Sequence, residues 1–445
     1  MVGSRYVDPV DGSEYPLEEP RWRSDAGRPL MLTPGAGIGR DDIEPGERSL
    51  WRYRACLPVD IARPISLGEG RTPLVEGRWG GVRPLFKLEW LNPTGSFKDR
   101  GTSVMLSYLR QHGITSVLED SSGNGGSSVA GYGAAGGMAV RILAPAHTSP
   151  AKIAQVAAYG ARVQLVDGPR EEAQAEAIRQ SDRTCYASHN WQALFLEGVK
   201  TLAYELWEDL DFRAPDNVVL PVGAGSSLLG CHLGFRELVA SGLIPRPPRL
   251  FAAQPLNCSP VDAAFTAGAD GPVDRAVRPT IAEGTAIRHP LRLRRLLAAL
   301  RDSGGATVAI PEQDIVTALG ELCAQGLFVE PTSAIAAAAV TRLVDAGRIT
   351  PGETTVVMLS GSGLKAATAV RDLLDGAARP ASPDAHAGGA FGISGLSGGA
   401  DFGASGPSGG ADFGASGPSG GADFGTSGFS GGAGLGTSGP SGGGE

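Results

Sequence analysis

The feature that most constrains this chain is a series of short apolar runs between about residues 65 and 375: TSVLEDSS, AVRILAP, ARVQLVDG, NVVLPVGAG, PRLFAAQP, ATVAIPE and TTVVMLSGSG. Several of these runs end in Gly or Ser, which suits parallel strands feeding loops and helix N-termini. Parallel strands need crossover connections, and helical patterns lie between the runs. Two examples are PAKIAQVAAYG, closed by Gly160 as a C-cap, and EGVKTLAYELWEDL. Hairpin signals are scarce, which counts against an antiparallel α+β sheet. The expected class is α/β, with Gly/Ser-rich loops leading from strand ends into helix N-termini.

Charge and composition narrow the partners. The 39 basic and 47 acidic side chains give a formal charge of −8, which argues against nucleic acid or an anionic membrane as the main partner. No run of about 18 apolar residues occurs, and the start, MVGSRYVDPVDGSEYP, has neither a basic n-region nor an apolar h-region, so a cytoplasmic protein is expected. The five Cys are scattered without a Cys-x-x-Cys pair and read as reduced, buried small hydrophobes. The six His are too dispersed for a ligand set, so no metal is expected. Residues 1–50 are polar and punctuated by Pro and Gly, an N-terminal extension expected to wrap the body as an arm. Residues 381–445 form a Gly/Ser/Ala-rich tail, in which Asp401, Asp412 and Asp423 recur with Phe402, Phe413 and Phe424 at an 11-residue period. That composition buries too little apolar surface to offset chain entropy, and the tail is expected to be disordered, as a linker or as weak stickers for a partner.

Four segments carry candidate chemistry. In LEWLNPTGSFKDRG, Lys98 follows small residues at the start of a helix, GTSVMLSYLRQHG, near backbone donors. There it reads as a nucleophile of lowered pKa or a phosphate contact; the alternative is a solvated lysine in a basic turn. EDSSGNGGSSVAGYGAAGG follows a strand and opens a helix, so its backbone can approach a ligand closely and donate N–H groups; the alternative is a flexible linker. NVVLPVGAGSSLLGCHLGFREL is strand, turn and helix, an arrangement suited to phosphate, although it matches neither the dinucleotide fingerprint nor a Walker loop. TTVVMLSGSGLKA places a hydroxyl at the end of a buried strand.

Together these segments resemble the pyridoxal-phosphate enzymes of the tryptophan synthase β-type fold (fold type II), and NPTGSFKDRG looks closest to threonine synthases. WRYR at 51–54 and ISLGEGRTPL at 65–74 are similar to the lead-in of that group, and the resemblance covers roughly residues 48–375. It implies two open parallel-sheet domains within a catalytic region at 51–380, the smaller inserted at about 100–190. It implies pyridoxal 5′-phosphate on Lys98, which is also the proton carrier. Ser121, Ser122 and Gly123 would cradle the substrate carboxylate, and Asn124 would contact the cofactor ring. Gly223, Ala224, Gly225, Ser226 and Ser227 would bind the cofactor phosphate. Ser360 would pair with the ring nitrogen, a neutral partner that suits elimination and replacement chemistry; Ser362 stands where many relatives have His.

The implied reaction is conversion of O-phospho-L-homoserine and water to L-threonine and phosphate by a homodimer. The alternatives are a serine/threonine dehydratase, a β-replacement enzyme, or a non-catalytic homologue in which the Phe-Gly repeats do the work. Several positions depart from the family pattern. Gly125 replaces a usual Thr or Ala, which is expected to enlarge the site. In SHNWQALFLEGVKT, with Glu197-Gly198 in register, Phe195 falls where short threonine synthases place a phosphate-binding Arg, and Gln192 where they place Asn. Ser188, His189, Asn190, Lys200 and Arg288 are the candidates to compensate. EPTSAIAAAA at 330–339 is similar to a helix start of the family or is a capped core helix, and Glu283 is a catalytic candidate or a solvated loop acid.

Overall fold

The computed structural model describes residues 3–148 and 150–377; the 11-residue repeats lie outside them. Three short strands, β1 (Arg5–Val7), β2 (Glu14–Pro16) and β3 (Met31–Leu32), form an antiparallel sheet in the N-terminal extension. The strands β4 (Leu74–Glu76) and β5 (Leu85–Leu88) begin a larger sheet. Next, β6 (Ser116–Glu119), β7 (Ala139–Pro145), β8 (Arg162–Val166) and β9 (Cys185–Tyr186) make a four-stranded parallel sheet in the order β8-β7-β6-β9. The chain then returns to the first large sheet with β10 (Asn217–Pro221), β11 (Arg249–Pro255), β12 (Ala306–Ile310) and β13 (Thr355–Leu359). Its order is β12-β11-β10-β13-β5-β4, parallel except for the edge pair β4–β5. All seven apolar runs are parallel strands; β10 and β13, in the middle of the large sheet, are buried on both faces, whereas β8, at the edge of its sheet, has no buried residue. In β10, Val218 and Leu220 join one core and Val219 the other; Val356 and Met358 of β13 are likewise divided from Val357 and Leu359.

The helices are α1 (Lys98–Gln111), α2 (Asn124–Ala135), α3 (Pro150–Ala158), α4 (Arg170–Gln180), α5 (Ala193–Asp209) and α6 (Ser226–Ala240). They are followed by α7 (Pro260–Thr266), α8 (Leu293–Asp302), α9 (Glu312–Ala324), α10 (Pro331–Asp345) and α11 (Ala367–Ala377). The first core takes Leu202 of α5 and Phe235 of α6, and the second takes Leu319 of α9 and Ile335 of α10. Among the described residues no helix is long and apolar enough to cross a membrane.

Helix α1 starts at Lys98, three residues before the expected Gly101. The physical reason is Asp99, whose carboxylate accepts the Thr94 N–H (2.6 Å) and the Ser128 hydroxyl (2.7 Å), closing the first turn and tying it to α2. Residues 3–50 hold more regular structure than an extended arm, and their contacts reach across the body. The Tyr6 hydroxyl meets that of Tyr108 on α1 at 3.2 Å, Trp22 packs edge-on against Tyr186 and Trp191, and the Ser241 hydroxyl donates to the Ala36 carbonyl.

Candidate active site

Two loops that run antiparallel fix the position of Lys98. The Phe97 N–H donates to the Ser360 carbonyl and the Ser362 N–H to the Gly95 carbonyl, both at 3.0 Å, so the turn before α1 is stitched to the loop after β13. Gly95 turns with φ +87°, a conformation that favours glycine. Lys98 is half-buried, its Nζ 4.6 Å from the centroid of the Phe97 ring and 5.7 Å from that of Phe195. Nζ donates no hydrogen bond to a described residue. Burial, and after it the Arg170 guanidinium, brings its pKa down to about 7 against the pull of Glu119 and Glu330.

Around this amine the structure assembles groups from distant segments. The Ser360 hydroxyl lies 3.1 Å from that of Ser333, and the Gly361 N–H donates to the Ser333 hydroxyl at 3.0 Å. The Asn124 amide donates to both carboxylate oxygens of Glu330, at 3.0 and 3.1 Å, and the Glu330 N–H donates to the Gly361 carbonyl. Glu330 is thus more than the residue before a core helix that starts with Pro331. Burial raises its pKa.

The loop at 121–123 opens α2, with the Ser121 hydroxyl accepting the Gly123 N–H. Gly126 lies so close to the Ser121 carbonyl that any side chain would overlap it. The segment Gly223, Ala224, Gly225, Ser226, Ser227 leads from β10 into α6 through Gly225 at φ +86°. Gly223 abuts Thr285 and Gly284, and the Gly284 N–H donates to Thr332, two residues from Glu330. A turn at 283–285 therefore links this loop to the Asn124 side of the site.

The residues present fit pyridoxal phosphate. A half-buried amine held near neutrality suits a Schiff-base lysine, a glycine-lined helix N-terminus suits a phosphate dianion, and a hydroxyl at Ser360 suits the ring nitrogen.

Sequence reasoning missed the pair formed by Glu119 and His189. Glu119 ends β6; one of its oxygens accepts the His189 N–H (3.0 Å) and the other meets Nδ1 of the ring (2.9 Å). Burial pushes the Glu119 pKa up to about 7 and holds His189 well below the usual imidazole value. The signal was an acidic residue at the end of an otherwise apolar strand. His189 also corrects the expectation for Gly125. A Cβ at Gly125 would stand 2.5 Å from His189 Nδ1, so the space a larger residue would take is filled by the imidazole and the site is not enlarged.

The other candidates for compensation divide. Lys200 is buried against Glu197 (2.5 Å) and Glu237 (2.9 Å) and donates to the Cys56 carbonyl, so its charge is already used. Gln192 donates to the Tyr186 carbonyl, Ser188 to Asp120, and Arg288 is exposed. Buried Arg292 donates to the carbonyls of Leu30, Asn190 and Trp191, pinning the segment that carries His189 to the N-terminal extension. Phe195 packs its ring over Gly101, where α5 crosses α1. Cys56 and Cys231 are buried with thiols pushed up to about 12, which fits an inert role.

Comparison with known proteins agrees with this geometry. The profile of the family described as "Pyridoxal-phosphate dependent enzyme" matches residues 65–361. The chain is 34% identical to a threonine synthase of Methanosarcina acetivorans, over 74% of this chain and 82% of that protein. It is 33% identical to one of Methanocaldococcus jannaschii, over 74% and 83%. Among solved structures, threonine deaminase isoform 2 of Solanum lycopersicum superposes with a TM-score of 0.61 at 23% identity, covering 81% of this chain and 95% of that one. A fungal L-serine ammonia-lyase from Rhizomucor miehei gives 0.61 at 19%, over 70% and 99%. At those identities the two structures speak for the fold alone. By sequence and by fold, the chain belongs to the pyridoxal-phosphate dependent enzymes, as a threonine synthase-like lyase of fold type II.

Proposed function

We propose that this enzyme converts O-phospho-L-homoserine and water to L-threonine and phosphate. The observation that carries the reading is Lys98, a half-buried amine without a hydrogen bond to the described residues, held near neutrality beside Asn124, Glu330 and Ser360 in a chain whose relatives are threonine synthases. Pyridoxal 5′-phosphate, when bound, supplies the electron withdrawal that acidifies the substrate carbons. Lys98 carries the cofactor through its amine and then holds and returns protons at the α, β and γ carbons. Ser121, Ser122 and Gly123, with the free amides at the start of α2, bind the substrate carboxylate. Residues 223–227 hold the cofactor phosphate. Asn124, oriented by Glu330, contacts the ring, and Ser360 meets the ring nitrogen as a neutral partner.

Phe195 leaves the substrate phosphate without the guanidinium of short threonine synthases. Arg170, half-buried at the start of α4, supplies one: its charge acts on Lys98, Glu119, Asp120 and His189. The family resemblance supports a homodimer, which size-exclusion chromatography with light scattering checks.

The test is incubation of cofactor-loaded protein with O-phospho-L-homoserine, with phosphate, threonine and 2-oxobutyrate measured together and Lys98→Ala as the blank. Equal phosphate and threonine, both lost in the blank, are expected. Deamination of serine or threonine with no phosphate release would replace this reading with a dehydratase.

A further inference from the structure

The proposed reaction has one proton that Lys98 does not need to carry. Two carbon-bound protons leave, from the α and β carbons, and two return, to the γ and α carbons, and one amine can shuttle all four. What remains is a transfer between oxygens. The departing phosphate must gain a proton as its Cγ–O bond breaks, and the water must lose one as its oxygen bonds to Cβ.

The pair of Glu119 and His189 is built for such a transfer. Glu119 uses both oxygens on His189, one on the backbone N–H and one on Nδ1, so the ring is fixed and Nε2 is the nitrogen left to act; among the described residues it has no hydrogen-bond partner. The ring is wedged between Gly125, next to Asn124, and Phe195, whose ring lies 5.8 Å from the imidazole and also faces Lys98. The charged groups acting on the pair are Lys98, Asp120 and Arg170.

Resting on the threonine synthase reading, we propose that His189, aimed by Glu119, is the catalytic acid and base at the side-chain end of the substrate. Nε2–H gives its proton to the phosphate oxygen as the Cγ–O electron pair leaves with that oxygen, while the Glu119 carboxyl passes its proton to Nδ1. When water adds, its oxygen bonds to Cβ, the displaced carbon–carbon pair moves toward Cα, its proton goes to Nε2, and the Nδ1 proton returns to Glu119. The burial that brings Glu119 up to about 7 suits a carboxyl that exchanges a proton near neutrality.

The test compares His189→Gln, Glu119→Gln, His189→Ala and the double variant His189→Ala with Gly125→Ala. Each is assayed with O-phospho-L-homoserine and with L-vinylglycine, which offers the unsaturated skeleton without phosphate. Cofactor absorbance and borohydride fixation on Lys98 are read alongside, to report the site independently of turnover. A general acid–base role is worth roughly 10²–10⁴-fold. Threonine formation is therefore expected to fall by about 100-fold or more in His189→Gln and Glu119→Gln. Vinylglycine should be diverted to 2-oxobutyrate, and cofactor fixation should be retained. The double variant refills the space without an imidazole and should stay as slow as His189→Ala.

Recovery in the double variant, or an unchanged ratio of threonine to 2-oxobutyrate in His189→Gln, would make His189 a space-filler and overturn the proposal. Loss of cofactor fixation in every His189 variant would overturn it too, by making the residue structural. Wild-type enzyme that forms threonine from neither compound would instead sink the functional reading itself, and this inference with it.

Discussion

Two buried clusters of charge lie two residues apart on α1, and they are built in opposite ways. Arg100 is fully enclosed and paired, its guanidinium 2.7 Å from Glu89 and 2.8 Å from Glu205, while Lys87 meets Glu205 and Asp209 at 2.7 Å each. Burial alone would raise Glu205, yet Arg100 and Lys87 hold it far below the usual carboxylate range. At Lys98 the surroundings bring the amine down to about 7 and Glu119 up to about 7, and no hydrogen bond to a described residue satisfies Nζ. The first cluster has its charges compensated and joins α1, α5 and β5. The second keeps its groups close to exchanging protons. Compensation makes a buried charge structural, and withholding it makes the charge reactive.

The sharpest way to break this comparison is to exchange its consequences. Lys98→Ala is expected to lower turnover by about 10³-fold or more, as loss of a nucleophile and proton carrier does. Urea denaturation of that variant should stay near wild type, and borohydride should no longer fix the cofactor. Arg100→Ala should do the reverse. Leaving Glu89 buried without its countercharge, and Glu205 with Lys87 alone, is expected to cost about 3–5 kcal/mol of stability, read as a lowered urea midpoint. A midpoint shift below about 1 kcal/mol would show that the network is not compensated as drawn.

A smaller effect concerns protonation. Because the amine form of Lys98 dominates above about pH 7, capture of pyridoxal phosphate by cofactor-free protein should be fast and level above that pH and fall about tenfold per unit below it. Stopped-flow absorbance reads this directly, and a rate still climbing at pH 9 would mean an ordinary lysine. The smallest expected effect is that of Ser360→Ala, which removes a neutral hydroxyl that also meets Ser333. About 1 kcal/mol is at stake, or roughly fivefold weaker retention of cofactor during dialysis.

How far the sequence reaches differs between fold and site for a physical reason. Short apolar runs that end in Gly or Ser, such as NVVLPVGAG and TTVVMLSGSG, suit parallel strands feeding loops and alternate with helical patterns, so the parallel sheets were legible from local pattern. The segments around Lys98, at 121–124 and at 223–227, were also legible as candidates, because each is a local strand, turn and helix. The early start of α1 was not, since it depends on the Asp99 carboxylate reaching Thr94 and Ser128. The expectation of a larger site at Gly125 failed because the residue that fills the gap, His189, is far away in the chain.

The sequence by itself determined the class of fold and the short list of groups that donate from loops into a site, and its resemblance to a known family supplied the cofactor. Periodicity, glycine-rich turns and a lysine at a helix start all act over a few residues, and such short-range rules survive in one dimension. Only the tertiary structure decided which groups face each other. It set Glu330 on Asn124 from 206 positions away, set Glu119 on His189 from 70, and placed Arg170 where its charge reaches Lys98. Those pairings follow from how two sheets and their helices exclude water around one amine, and burial of that kind has no signature in any single stretch of chain.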